Sequence, residues 1–292
     1  MPTRILHIIA LVVLTVMLAT SCNTNTPDDQ RVVSVTILPQ KYLAEQIAGS
    51  RFKVNCVVPA NSNPEAYDPT PMQLVELDKS EAYLRVGGML GFEVAWMDRI
   101  VQNNPDMPVY DTSRGIDMLT TTHCHEHGGM HECNAIDPHT WSSPRNVRIM
   151  AHNICSALSE IDSEYAGYYE DNCARLIQRI DSVERVVSNL LEPCRGTAFA
   201  IYHPSLSYLA RDYGLLQLSL ENMGKENSAL ALKKTVDEAI DNGVRVVFVQ
   251  QEFNPRQVET FARELDAEVI TINPLNYDWA TEIINIAHAI AR

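Results

Sequence analysis

Ser163–Leu191 reads SEYAGYYEDNCARLIQRIDSVERVVSNLL. Leu176, Ile180, Val183, Val187 and Leu190 recur at three-to-four spacing, which predicts one long amphipathic helix. At about 1.5 Å per residue it extends near 40 Å, enough to span one domain and reach a second. Pro193 ends it and marks the best domain boundary in the chain. Just upstream, SPRNVRIMAHNICSALSEID is also helical, with Ser143 as N-cap and Pro144 at the first helical position.

Working outward from this helical centre, strand and helix patterns alternate on both sides. Before it, RVVSVTIL (Arg31–Leu38), FKVNCVV (Phe52–Val58), the end of MQLVELDKSEAYLRV and MPVYDTS read as strands separated by helices. After it, TAFAIYH, LQLSLEN, VRVVFVQQ and EVITIN are strands separated by the helical patterns SLSYLARDYGL, ALKKTVDEAIDNG and PRQVETFARELDA. Alternation of this kind implies parallel sheets flanked by helices. The fold class expected is α/β, with two alike lobes and the long helix between them. A ligand is expected in the cleft between the lobes, beyond the carboxyl ends of the strands.

Composition narrows the function. Of 292 residues, 46% are hydrophobic and 21% charged, enough for packed cores and against disorder. The formal net charge of -14 and the absence of a basic stripe argue against a nucleic-acid partner. At the N-terminus, Arg4 precedes the apolar run Ile5–Leu18, too short for a permanent membrane span and matching an export signal. It ends in ATSC, which resembles a lipoprotein cleavage site with Cys22 as the lipidated residue. NTNTPDDQ then reads as a polar tether. In an exported chain some of Cys56, Cys124, Cys133, Cys155, Cys173 and Cys194 can pair, and the sequence does not choose among pairings.

Chemistry concentrates at two places. The run TTTHCHEHGGMHECNAIDPHTW, Thr120–Trp141, holds five of the nine histidines. Its His123, His125, His127, His131, Cys124 and Cys133 are nitrogen and sulfur donors that favour zinc and its first-row neighbours over calcium or magnesium. Elsewhere, four ligand-capable residues fall at the strand-to-helix edge: Glu65 after FKVNCVV, His139 in DPHTW, His203 after TAFAIY, and Asn273 at the end of EVITIN. His152 and His288 lie inside helical patterns and are read as structural. No HExxH and no GxSxG is present, which weighs against a zinc hydrolase.

The segments NPEAYDPTP (Asn63–Pro71), DPHTW (Asp137–Trp141), AIYHPSLSYLARDYGL (Ala200–Leu215) and FVQQEFNPRQVETFARELDAEVITINPL (Phe248–Leu275) together carry a resemblance. In order and spacing they are similar to the periplasmic metal-binding components of zinc and manganese ABC transporters, the ZnuA/TroA-like family. That resemblance implies two α/β lobes joined by one rigid helix, with a metal ion held between them by His139, His203, Glu65 and Asn273. Glu65 stands where the family usually has His, and Asn273 where it usually has Asp; Asn is neutral and a poor zinc ligand. The resemblance further implies delivery of the ion to an ABC permease and its ATPase, without catalysis, by a monomer that is periplasmic or on the cell surface and lipid-anchored. Zn2+ is the expected cargo, with Mn2+ or iron as the alternative; a metal chaperone or adhesin is the other reading. The His-rich loop is expected to be a weaker accessory site. The expected organisation is a signal at 1–21, a tether at 22–30, an N-terminal lobe at 31–162 with the His-rich loop at 120–136, a linking helix at 163–192 and a C-terminal lobe at 193–292.

Overall fold

The computed structural model describes residues 31–87, 90–121, 135–222, 225–226 and 229–292. In the N-terminal half, β1 (Val32–Val35) leads to α1 (Leu38–Ala48), β2 (Lys53–Cys56), α2 (Pro71–Leu77), β3 (Ala82–Arg85), α3 (Gly91–Asn103) and β4 (Val109–Asp111). These strands pair in parallel in the order β2-β1-β3-β4. Val33, Val35, Ala82 and Leu84 are wholly buried, as expected for strands covered by helices on both faces. A two-stranded ribbon, β5 (Thr120–Thr121) with β6 (Ala135–Ile136), follows, and antiparallel pairing of Thr120 with Ile136 sets the chain on course for His139.

Two long helices form the centre. Ser143 caps α4 (Pro144–Ile161) by accepting from the N–H groups of Arg145 and Asn146. The linking helix α5 runs Ala166–Leu191, 26 residues or about 39 Å. It starts three residues later than the sequence predicts, because Ser163–Tyr165 form a 3-10 turn where the chain reverses out of α4. Asp162 pins that turn, pairing with Arg31 at 2.7 Å and Arg51 at 3.1 Å and accepting from the Tyr169 hydroxyl at 2.5 Å.

The C-terminal half repeats the architecture. It comprises β7 (Ala198–Ile201), α6 (Ser207–Tyr213), β8 (Leu216–Ser219), a short ribbon of β9 (Glu221–Asn222) and β10 (Lys225–Glu226), α7 (Ala229–Asp241), β11 (Val246–Gln250), α8 (Arg256–Leu265), β12 (Glu268–Ile272) and α9 (Trp279–Ile290). Its parallel sheet is ordered β12-β11-β7-β8. Ranked by position in each half, both sheets therefore read second, first, third, fourth. Each has its topological switch point between its first and third strands, the place where such sheets bind ligands.

One continuous core joins the halves through α5, whose Tyr169, Leu176, Ile180, Val183, Val187 and Leu191 are buried among residues of both sheets and of α1, α4 and α9. Separate apolar clusters cover the outer face of each sheet: Val58, Leu77, Tyr83 and Phe92 in one, Val247, Val249, Val258 and Phe261 in the other. The α5 stripe thus lies inside the fold and is not a solvated linker, which is the physical basis of a stiff connection. Cys56, Cys155, Cys173 and Cys194 are free thiols, with Cys155 and Cys173 in side-chain contact across α4 and α5. No helix of the described residues is long and apolar enough to cross a membrane.

Candidate metal centre

Three of the four residues selected at strand ends converge. Glu65, His139 and His203 each offer a ligand atom, and these atoms lie within 4.8 Å of one another. His139 follows β6 in an Asp-Pro-His turn whose Asp137 carboxylate accepts from the His139 N–H at 2.9 Å and from Nδ1 at 2.8 Å. Tyr208 of the C-terminal half steadies this turn by donating to the Asp137 carbonyl at 2.7 Å. His203 follows β7, and its Nδ1 meets Glu221 Oε2 at 3.1 Å. The fully buried Gln250, last residue of β11, clamps the His203 backbone: its Nε2 donates to the His203 carbonyl at 2.5 Å and its Oε1 accepts from the His203 N–H at 3.4 Å.

Glu65 comes from the loop after β2. Its own N–H donates to Asn63 Oδ1 at 2.9 Å, and its Oε2 accepts from the Gly91 N–H at 2.9 Å, at the N-terminus of α3. The carboxylate there faces the positive end of the helix dipole. Gly91 is needed for this approach, since a Cβ at that position would stand 2.2 Å from the Glu65 carbonyl oxygen. The other carboxylate oxygen, Oε1, is buried with no hydrogen-bond partner and lies 3.9 Å from His139 Nε2.

The two imidazoles meet with Nε2 to Nε2 at 3.1 Å. An ionised carboxylate only accepts, so each Nδ1 carries the hydrogen in a neutral ring and each Nε2 presents a lone pair. Two lone pairs at that distance repel unless a cation or a proton lies between them. Burial lowers the pKa of His139, but the adjacent Asp137 outweighs it, with Glu65 and Glu252 adding, and the net shift is upward. For Asp137, burial pushes the pKa up, yet the charge and hydrogen bonds of His139 hold it below the ordinary carboxylate value. The geometry is that of imidazoles oriented by carboxylates to present a fixed pair of nitrogen donors.

The surrounding cleft is lined by Asn63, Glu65, His139, Trp141, His203 and Ser205, together with Glu252, Pro274 and Leu275. Indole nitrogens tie its walls together: Trp141 Nε1 donates to the Pro274 carbonyl at 3.0 Å and Trp279 Nε1 to the Trp141 carbonyl at 2.8 Å. Asn273 does not line the cleft; its backbone N–H donates to Glu282 Oε1 at 2.7 Å. His123, His125, His127, His131, Cys124, Cys133 and Cys22 lie outside the described residues. Sequence reasoning missed Glu221, Gln250 and Glu252. Gln250 and Glu252 were open to the rule that selected the others, because QQEF ends β11 at the same sheet edge. Glu221 carried no signal, being brought to His203 only by the fold.

A sequence model of the family described as "Zinc-uptake complex component A periplasmic" matches residues 33–283. The chain belongs to this family. Among solved structures, a crystal structure of ZnuA superposes with a TM-score of 0.81 at 34% identity, covering 90% of this chain and 98% of that one. A ZnuA deletion mutant with zinc bound gives 0.81 at 35% identity, covering 90% and 97%. The high-affinity zinc uptake system protein ZnuA of Bacillus subtilis (strain 168) is 23% identical over 264 residues, 88% of this chain and 82% of the relative. Glu65, His139 and His203 thus face one another in the cleft of a member of this family.

Proposed function

We propose that this chain is the extracytoplasmic solute-binding protein of a metal ABC importer, taking Zn2+ between its lobes and handing it to a membrane permease driven by its ATPase. His139 Nε2, His203 Nε2 and a Glu65 carboxylate oxygen hold the ion, and no reaction is catalysed. The observation that carries this reading is the opposed Nε2 pair with both Nδ1 atoms engaged, beside an unpartnered buried carboxylate oxygen. Two imidazoles and a carboxylate suit zinc. Zinc bound in the crystal of a ZnuA deletion mutant supports the same choice of cargo.

In this reading the chain is a monomer, anchored through lipid on Cys22 and tethered by residues 22–30. The lobes at 31–162 and 193–292 hold the ion between them, joined by the linking segment 163–192, and the His-rich loop gathers metal at lower affinity. Competition calorimetry on the purified chain tests it. One tight Zn2+ site is expected, abolished in His139→Ala and in His203→Ala and retained when 123–131 is deleted. Loss of the tight site on loop deletion, with both alanine variants unaffected, would overturn the assignment.

A further inference from the structure

Zn2+ held by two imidazoles and one carboxylate has three protein donors, one short of the four that zinc sites ordinarily complete. The family resemblance looks to the end of β12 for a fourth donor, but Asn273 there is neutral and does not line the cleft. The register of the C-terminal sheet shows what stands beside it. Gln250 of β11 pairs with Ile272 of β12, and the Gln251 N–H donates to the Ile272 carbonyl at 2.9 Å. Two residues further along each strand end, Glu252 comes level with Pro274, and both line the cleft.

Glu252 also holds the favoured position in the topology. The switch point of this sheet lies between β7 and β11, and the residues just beyond those two strands are His203 and Glu252. Phe253 anchors the segment, its ring 5.8 Å from that of His203 and 5.0 Å from that of Tyr202. The Glu252 carboxyl is close enough to His139 and His203 that the charge of each acts on it. It lies outside the 4.8 Å group formed by the other three donors, so contact with an ion shared by them requires side-chain rotation. Glu65 is already fixed by α3, whereas Glu252 is half-buried.

We infer that Glu252 is the fourth donor to the bound ion, swinging in from the end of β11 to make a set of two imidazoles and two carboxylates. This rests on the metal-binding role proposed above. The fourth donor completes the coordination of the ion, and as a second carboxylate it sets selectivity. It adds an oxygen donor, which favours Mn2+ relative to a three-donor site more than it favours Zn2+.

The test titrates the full chain with Zn2+ and, separately, Mn2+ against a chromogenic chelator, for the native protein and for Glu252→Gln, Glu252→Asp, Asn273→Ala and His139→Ala. Co2+ absorption reports the donor set, and thermal unfolding without metal checks folding. Glu252→Gln is expected to weaken Zn2+ by roughly tenfold or more, comparable to or beyond the loss of an outer partner. It should weaken Mn2+ further and shift the Co2+ bands, while Glu252→Asp recovers part of the affinity and Asn273→Ala changes nothing. If His139→Ala loses the tight site while Glu252→Gln leaves both affinities and the Co2+ spectrum unchanged, the inference fails and the metal-binding reading stands. If His139→Ala also binds normally, that reading fails with it.

Discussion

His139 and His203 present the same chemistry from opposite sides of one cleft, yet they are built in different ways. The carboxylate that orients His139 is Asp137, two residues away in the same turn, and one of its oxygens serves both the backbone N–H and the ring Nδ1. The carboxylate that orients His203 is Glu221, beyond α6 and β8, and the backbone clamp on His203 is Gln250 at the end of another strand. The first unit assembles from local sequence; the second exists only once the sheet has formed. A ligand of the first kind takes its ring orientation from its own turn, while a ligand of the second kind is as precise as the C-terminal sheet.

Removing either ring is the largest perturbation and makes the comparison symmetric. His139→Ala and His203→Ala should each cost more in Zn2+ affinity than the roughly 100-fold upper figure for an outer partner, measured by chelator competition. Equal losses mean that the ion uses both rings fully. A much smaller loss for one would show that its Nε2 is not a donor.

The outer carboxylates separate the two units. Asp137→Asn and Glu221→Gln should each weaken Zn2+ by about 10- to 100-fold, since the ring loses its fixed tautomer and orientation. They should differ in stability. Asp137 is held at a lowered pKa by His139, a stabilising interaction present above the ordinary Asp value and lost as pH falls through the lowered one. Its loss stays in the turn. Glu221 is buried at the start of β9, so its loss should spread into the edge of the C-terminal sheet, read by faster amide exchange in β7 and β8. Slower or unchanged exchange there would remove the distinction.

The same contrast explains what could be read from the sequence. The alternation of strands and helices, the α5 stripe and the Ser143 cap depend on periodicity and local hydrogen bonds, which a linear pattern carries. Glu65, His139 and His203 were legible because each closely follows a strand or ribbon, and parallel sheets gather such positions at one edge. The partners of His203 were legible only in part: Gln250 ends β11 at the same sheet edge, but its pairing with His203 comes from sheet order, and Glu221 reaches the ring with no spacing in the chain to encode it. The dependence of Glu65 on Gly91 was hidden for the same reason, since GFEVAW shows a helix start but not what rests upon it.

Gly91→Ala tests that hidden dependence and should have a more modest effect. The added methyl would meet the Glu65 backbone at 2.2 Å, so the loop must retreat and carry the carboxylate away from His139. About a tenfold loss of Zn2+ affinity is expected, at the lower end of the range for orienting partners. The native pairing of α3 with the loop, including the Phe92 N–H to the Pro64 carbonyl at 2.8 Å, should loosen in parallel. Unchanged binding would mean that Glu65 does not need this seat.

The smallest expected effect is that of pH, and it asks whether the two rings act as one. A proton between the Nε2 atoms competes directly with the ion, and once it is held there a second is opposed by charge. Zn2+ affinity should therefore fall on acidification with a slope near one proton, about tenfold per pH unit at most, instead of the two protons of independent rings. Because the pKa of His139 is raised above 6.5, the decline begins at a higher pH than for a free imidazole. In the metal-free protein the sign reverses. A group whose folded pKa is raised contributes stability that is complete below its unfolded value and lost as pH rises through the folded one. The difference in Tm between zinc-loaded and metal-free protein should thus narrow as pH drops toward 6. Calorimetry showing a slope of two would mean that the rings titrate separately, and that their 3.1 Å approach is not maintained in solution.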